Sequence, residues 1–315
     1  MKRTVVGFDT SNYTTSVAVY DGKNGCNVGR LLDVGAGELG LRQSDALFQH
    51  VKRLPELMRQ LCADGDLRHI AAVGVSTRPR EVEGSYMPCF LAGKAQAESL
   101  GAALGVPVYA CSHQQGHLAA AAWSSGHMEL LDRPFLAWHL SGGTTELLLV
   151  EPEGCNVVSR IIGGTQDISA GQLIDRTGVL LDLPFPAGKH LDALCDGMQQ
   201  ANKPFRVKMN DLTFSLSGME NKVKAMVQQG QPGQAVAQFA VDTVVDVVVR
   251  ATLQAQERYP GLPVLCSGGV ASNSRLRSAL SSRCAAYFAQ PCYSTDNALG
   301  VAILAHRALE RGDLG

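Results

Sequence analysis

The sequence lacks an excess of charge of either sign, because its 28 lysines and arginines are matched by 29 aspartates and glutamates, for a net charge of −1. A chain without an overall positive charge does not bind nucleic acid through its net charge alone. An RNA partner would need a local basic patch or another subunit. The combination of 18% charged and 45% hydrophobic residues is typical of a well-packed, enzyme-like protein.

Long apolar runs and paired cysteines are missing too. No segment approaches the roughly 18 apolar residues of a membrane span, and the opening MKRTVVGFDT reaches Asp9 too soon for a signal peptide. The nine cysteines are irregularly spaced without a Cys-x-x-Cys pair, which favours reduced thiols over a disulfide framework. We therefore expect a cytoplasmic protein that does not enter the membrane.

One pattern is present twice. TVVGFD, a turn of small hydroxyl residues and TSVAVYD open the chain, and strand, small-residue turn and strand return in PFLAWHLSGGTTELLLVE at residues 134–151. This internal repeat predicts two similar lobes facing each other across a cleft. The expected organisation is an N-terminal lobe over 1–130, a C-terminal lobe with a helical insertion over 131–295, and a closing helix, 296–315, that packs back on the first lobe. A helix is expected over 45–63, bent or interrupted at Pro55.

His113 and His117 stand four residues apart in the helical run ACSHQQGHLAAAAW. Histidines at this spacing share one face of a helix and can bind one ion, although two ordinary surface histidines would look the same. A site needs a third ligand, and both Asp296 and His139 are candidates. The run lacks the glutamate of the His-Glu-x-x-His motif, which argues against a metalloprotease.

Two glycine turns are candidate anion sites. Gly142 and Gly143 in LSGGTTE let backbone N–H groups approach an anion closely, and the alternative is a tight hairpin. In SGGVASNSRLR a strand runs into the start of a helix, where Asn273 is either a contact to a base or phosphate or a plain helix cap.

Taken together, six segments in order resemble the bacterial TsaD family, the tRNA threonylcarbamoyladenosine synthases once called O-sialoglycoprotein endopeptidases. They are GFDTSNYTTSVAVYD, HQQGH, LSGGTTELLLVE, GGTQDISAGQLIDRTGVLLDLPFPAG, TFSLSG, and SGGVASNSRLR with STDNA. The resemblance spans nearly the whole chain. It implies a two-lobed α/β fold of the actin/Hsp70-like ATPase (ASKHA) type with duplicated ribonuclease H-like lobes.

The resemblance also implies a function and a site. It implies transfer of a threonylcarbamoyl group from an adenylate to a tRNA adenosine beside the anticodon, with one divalent ion, iron or zinc, and with ATP or threonylcarbamoyl-adenylate as the nucleotide ligand. A TsaB-like ASKHA partner or a homodimer is expected, with tRNA reached through partner subunits. The implied metal ligands are His113, His117 and Asp296. The implied nucleotide contacts are His139, Leu140, Ser141, Gly142, Gly143, Asp175, Gly188 and Asn273. The catalytic residues are unknown, because several acid/base residues of the family are replaced in this sequence.

Several family residues are exchanged. The Cys-Asp-Glu after the first Thr-Ser is Asn12, Tyr13 and Thr14, and two family glutamates are Gln115 and Gln172. The other exchanges are Thr144 for histidine, Ile168 for aspartate, Gly218-Met219-Glu220 for Gly-Leu-Lys, and RPREVEGSY for the Gly-Pro-Gly-Leu loop. Two alternatives therefore stay open. One is a TsaD paralogue that binds nucleotide and acts as a partner or regulatory module. The other is a sugar or acid kinase of the same fold, which is less favoured because it gives His113, His117 and Asp296 no role.

Overall fold

The chain divides into two compact units. The computed structural model describes residues 3–34, 41–64, 67, 69–198 and 205–313. Unit 1 comprises Met1–Arg133, Glu151–Val158 and Tyr293–Gly315, and unit 2 comprises Pro134–Val150 and Ser159–Cys292.

Unit 1 is built on a five-stranded mixed sheet. Its strands are β1 (Thr4–Thr10), β2 (Thr14–Tyr20), β3 (Gly25–Leu31), β4 (Ile70–Arg78) and β5 (Val108–Ser112), in the order β3-β2-β1-β4-β5. β1 pairs antiparallel with β2 and parallel with β4, and β4 pairs parallel with β5. Every residue of β1 and β2 is buried, as expected for apolar strands covered on both faces.

Four helices pack with this sheet: α1 (Gln43–Asp64), α2 (Phe90–Leu104), α3 (His113–Ser124) and the last helix of the chain, α9 (Leu299–Arg311). Of the two alternatives predicted at Pro55, the interruption is wrong, because α1 continues through this residue, and the bend stays a prediction. The helix contributes three leucines, Leu54, Leu57 and Leu61, to the hydrophobic core that it forms with the first sheet. Burial of this apolar stripe on both sides of the proline outweighs the lost backbone hydrogen bond.

The second sheet, most of which belongs to unit 2, repeats the strand order of the first sheet. Its strands are β6 (Phe135–Leu140), β7 (Thr145–Glu153), β8 (Asn156–Thr165), β9 (Met209–Asn210), β10 (Thr213–Phe214), β11 (Val264–Ser267) and β12 (Ala286–Phe288), in the order β12-β11-β6-β7-β8-β10-β9. The run β8-β7-β6-β11-β12 matches β3-β2-β1-β4-β5 strand for strand. This confirms the duplicated lobes predicted from the internal repeat.

The helices of unit 2 are α4 (Ala170–Leu180), α5 (Gly188–Leu194), α6 (Ser217–Gln228), α7 (Gly233–Arg258) and α8 (Ser274–Ser281). The long helix α7 is almost wholly buried along Val236–Ala255. It contributes valines and alanines to one large core together with Trp138 and Phe214. The indole N–H of Trp138 donates to Thr252 Oγ1 at 2.8 Å, so the polar atom of this buried ring is satisfied.

Two observations bear on the remaining sequence expectations. All nine cysteines are free thiols. Within the described residues, every helix is too short or too polar to cross a lipid bilayer.

Candidate functional site

The histidine pair is positioned by the start of α3. Ser112 ends β5 and caps the helix, accepting a hydrogen bond from the Gln115 N–H while the Gln115 side chain accepts from the Ser112 N–H. This capping box fixes the first turn of the helix. Because α3 begins at His113, His113 and His117 project from one face of its first two turns.

Asp296 meets both imidazoles. Its Oδ1 lies 3.4 Å from His113 Nε2 and 3.4 Å from His117 Nε2. The two Nε2 atoms are 2.9 Å apart, and Ser11 Oγ donates to Asp296 Oδ2 at 3.2 Å. Among the described residues these three side chains form the one group with metal-ligand spacing. The candidate His139 is not part of it; it lies on β6, paired with Glu146 and Ser267.

A close helix crossing brings Asp296 to this point. Gly116 lies between the two histidines, and Gly300 lies one turn beyond Asp296 at the start of α9. A Cβ on Gly300 would come closer than 3.0 Å to the Gly116 carbonyl and to the Ala120 nitrogen. Only glycine lets the two backbones approach this closely, so Gly300 sets the distance between α9 and the histidine pair.

Asp9 belongs to the same cluster, although sequence reasoning did not select it. It lies near the end of β1 with no exposed surface. Its Oδ1 accepts from His113 Nδ1 at 2.9 Å and from the Ser76 hydroxyl. The sequence held one signal for it, a carboxylate that directly follows the apolar run VVGF of β1, because such a group is buried only when it is paired.

The electrostatics of the cluster favour positive charge. Burial alone would lower the pKa of His113, but the Asp9 carboxylate and the hydrogen bonds to Asp296 and Asp9 outweigh it and raise that pKa to about 10. Burial would raise the pKa of Asp296, yet the hydrogen bonds from His113 and His117 hold it well below its usual range. Within the described residues, neither the Asp9 nor the Asp296 carboxylate has a lysine or arginine partner. Their negative charge therefore stabilises a cation at this cluster.

Unit 2 contains a cavity of about 530 Å³, which is within the usual size range of small-ligand sites. Three of the predicted nucleotide contacts line it, namely Gly142, Asp175 and Gly188. Asp175 Oδ1 accepts from the Ala187 N–H at 2.9 Å. The rest of the lining is Gly171, Ile174, Pro184, Phe185, Pro186, Lys189, His190, Gly269 and Val270.

Glycines shape one wall of this cavity. A Cβ on Gly171 would press closer than 3.0 Å on Ser141 and Gly142, so the first turn of α4 lies directly against the Gly142 loop. The Ser169 hydroxyl, which caps α4, also donates to the Gly142 carbonyl at 2.6 Å. The loop itself is closed by the Ser141 N–H donating to the Thr144 carbonyl at 2.9 Å. The loop is therefore a hydrogen-bonded turn whose tip, Gly142 and Gly143, is exposed.

The other predicted contacts are placed differently. Leu140 has no exposed surface, so the structure offers neither its side chain nor its backbone to a ligand. Asn273 caps α8, accepting from the Leu276 N–H at 3.0 Å and donating to Asp192 Oδ1 at 2.8 Å. Both polar atoms of the Asn273 amide are thus used in hydrogen bonds within the protein, which matches the alternative that Asn273 is a plain helix cap. His139, Ser141 and Gly143 lie close to the cavity-lining Gly142 in sequence, but they are not among the residues that line the cavity.

Comparison with known proteins decides the family. The model of the TsaD family, described as tRNA N6-adenosine threonylcarbamoyltransferase, matches residues 40–303. The chain belongs to the TsaD family. Relatives named tRNA N6-adenosine threonylcarbamoyltransferase include one from Aromatoleum aromaticum, 31% identical over 95% of this chain and 89% of that protein. Another, from Thermus thermophilus, is 31% identical over 98% of this chain and 94% of that protein.

Solved structures support the predicted fold class. T. kodakarensis HypF matches with a TM-score of 0.58 and 12% identity, covering 99% of this chain and 49% of that chain. Component A of the Acidaminococcus fermentans (R)-2-hydroxyglutaryl-CoA dehydratase matches with a TM-score of 0.56 and 16% identity, covering 98% and 99%. The actin/Hsp70-type ATPase fold is therefore confirmed.

The structure shows what four of the residues that depart from the TsaD pattern do, namely Gln115, Gln172, Glu220 and Asn12. Gln115 and Gln172 both occupy the third position of a capping box, with Ser112 and Ser169; glutamine fills this role as well as glutamate does. Glu220 forms ion pairs of 2.6 Å with both Arg176 and Lys224.

At the first loop, Asn12 Oδ1 accepts from Gln43 Nε2 at 2.6 Å. The neighbouring Tyr13 is 48% exposed. At this loop Asn12 is therefore held by a side-chain hydrogen bond, while Tyr13 is half exposed.

Proposed function

We propose that this protein transfers a threonylcarbamoyl group from threonylcarbamoyl-adenylate to the N6 amine of a tRNA adenosine beside the anticodon, with the help of one divalent metal ion. In this reaction the amine attacks the carbamoyl carbon, the bond from that carbon to the phosphate oxygen breaks, and AMP leaves. The observation that carries the proposal is the convergence of His113, His117 and Asp296, taken with membership of the TsaD family.

The ligand atoms fit one ion. Two atoms bound to the same ion at about 2.0–2.1 Å are separated by roughly 2.8–3.4 Å at coordination angles of about 90–110°, and the three separations here are 2.9, 3.4 and 3.4 Å. Two imidazoles and one carboxylate are a donor set that suits iron or zinc and leaves positions open. When bound, such an ion polarises phosphoryl and carbonyl oxygens as a Lewis acid.

The cavity of unit 2 fits the nucleotide part of the substrate. Asp175 lines the cavity and can accept from ribose hydroxyls through the oxygen that does not bind Ala187. Gly142 and Gly269 offer backbone at the surface without a side chain in the way. Phe185, 76% exposed, presents an aromatic face on which a base can stack. We infer that these residues bind the adenosine moiety; the tRNA, the partner subunit and the cytoplasmic location stay predictions.

A direct assay tests the proposal. Purified protein, loaded with Fe²⁺ or Zn²⁺, is mixed with synthetic threonylcarbamoyl-adenylate and unmodified tRNA, with and without a TsaB-like partner, and nucleosides are measured by mass spectrometry. We expect threonylcarbamoyladenosine from the wild type and none from His113→Ala or His117→Ala. Nucleotide binding without any modified nucleoside, in every combination, would establish the binding-module alternative instead.

A further inference from the structure

The most unusual buried group in unit 1 is the Asp9 carboxylate. It has no exposed surface, and its Oδ2 is buried without a hydrogen-bond partner in the described residues. A buried carboxylate oxygen without a partner costs free energy. Hydroxyl-bearing neighbours are available, since Ser76 and Ser16 lie beside it, but neither reaches Oδ2. Its retention calls for a reason other than fold stability.

The contact that provides a reason is the one to His113. Asp9 Oδ1 lies 2.9 Å from His113 Nδ1, a distance at which the carboxyl oxygen accepts a hydrogen bond from that ring nitrogen. Nδ1 therefore carries the proton, and the lone pair of the neutral ring is on Nε2. Nε2 is the atom that lies 2.9 Å from His117 Nε2 and 3.4 Å from Asp296 Oδ1. The contact thus selects the tautomer that can bind an ion at the cluster.

The orientation of Asp9 is itself fixed. The Ser76 hydroxyl on β4 donates to Asp9 Oδ1, the same oxygen that faces His113. Asp9 and Ser76 lie on β1 and β4, which pair in parallel at the centre of the sheet. The carboxylate therefore rests on rigid strands, while the ring it contacts belongs to the first turn of α3. Supporting groups placed on rigid elements hold a ligand within the narrow tolerance a metal site needs.

We propose that Asp9 is a positioning residue for the metal centre: by accepting from His113 Nδ1 it fixes the ring and its tautomer so that Nε2 binds the ion. The inference rests on the proposed metal centre and adds a residue to it. Asp9 contacts neither the ion nor the substrate in this role. Loss of such a partner typically costs about 10- to 100-fold in metal affinity.

The test is Asp9→Asn in the full chain, freed of metal and titrated with Zn²⁺ against a colorimetric chelator. Asparagine keeps the size of the side chain but removes the charge. We expect Zn²⁺ affinity to fall about 10- to 100-fold and the visible absorption of the Co²⁺-loaded protein to change, because the His113 ring no longer has one fixed tautomer. Ser76→Ala is the milder variant, with a smaller loss in the same direction.

The matched control is Ser16→Ala. Ser16 is buried and pairs directly with Asp9 across β1 and β2, and its hydroxyl donates to the Asp9 backbone carbonyl at 3.4 Å rather than to the carboxylate. Its Zn²⁺ affinity and Co²⁺ spectrum should equal those of the wild type. A purely structural role for Asp9 predicts lower melting temperature with unchanged affinity in the folded protein, and that result overturns the proposal.

Different results would exclude the metal centre and the role of Asp9. If the wild type binds no Zn²⁺ or Co²⁺ at the cluster, the proposed metal centre fails. If the wild type binds and Asp9→Asn binds equally well with an unchanged spectrum, only the role of Asp9 fails.

Discussion

The crossing of α3 and α9 gives the sharpest prediction, because one methyl group tests it. In Gly300→Ala the new Cβ would come closer than 3.0 Å to the carbonyl carbon and oxygen of Gly116 and to the nitrogen of Ala120. All three are backbone atoms in the middle of a helix, so they cannot turn aside as a side chain would. The helices must separate, and Asp296, one turn before Gly300, must move with α9.

The size of the effect follows from two opposing terms. Overpacking a well-packed contact costs about 1–3 kcal/mol, and contact with rigid backbone favours the upper end. Replacing glycine by alanine inside a helix returns up to about 1 kcal/mol. The net loss is about 2 kcal/mol of unfolding free energy, or about 4–8 °C in melting temperature for a domain of this size. Zn²⁺ affinity should fall as well, by about 10- to 100-fold as for other misplaced metal-site groups.

Calorimetric melting and Zn²⁺ titration of Gly300→Ala measure both effects. The control is Gly218→Ala in α6, where no atom lies within 4 Å of the added Cβ, and where stability should stay equal or rise slightly. If Gly300→Ala matches Gly218→Ala in melting temperature and binds Zn²⁺ like the wild type, the close crossing does not position Asp296 and the reasoning is refuted.

Two further predictions concern pH and the nucleotide. Burial lowers the pKa of His50 to about 4 despite the hydrogen bond to the Ser11 carbonyl, so below about pH 6.5 the unfolded chain takes up a proton that the native state does not. The free energy of unfolding should therefore drop by about 2 kcal/mol from pH 7 to pH 5, which urea titrations at the two pH values measure. An equal drop in His50→Gln would show that His50 is not its origin. Phe185→Ala should weaken AMP binding by about tenfold or more in a calorimetric titration. Val179→Ala, which truncates another exposed apolar side chain outside the cavity, should leave AMP binding unchanged. Equal affinities of both variants for AMP would exclude stacking on Phe185.

Local sequence patterns were sufficient to predict the lobes and the histidine pair. TVVGFD and FLAWHL are apolar runs followed by small-residue turns, so their strands and their repetition are visible without coordinates. The spacing of His113 and His117 is likewise a local property of one helix. The third ligand was narrowed to Asp296 or His139, and only the resemblance favoured Asp296.

Other features depend on contacts between distant segments and leave no periodic trace. Asp9 meets His113 across 104 residues because β1, β4 and α3 converge there. The engagement of Asn273 by Asp192 spans 81 residues. The closeness of Gly116 and Gly300 is a property of two packed helices, and the continuity of α1 through Pro55 is decided by core burial on both sides of it.

The measurement that tests the account most directly is the metal content of the purified protein, by elemental analysis, for the wild type and for Asp296→Ala. We predict close to one iron or zinc per chain in the wild type and almost none in the variant. A wild type without stoichiometric metal, or a variant that retains it, would contradict a centre built from the two imidazoles of α3 and the carboxylate before α9.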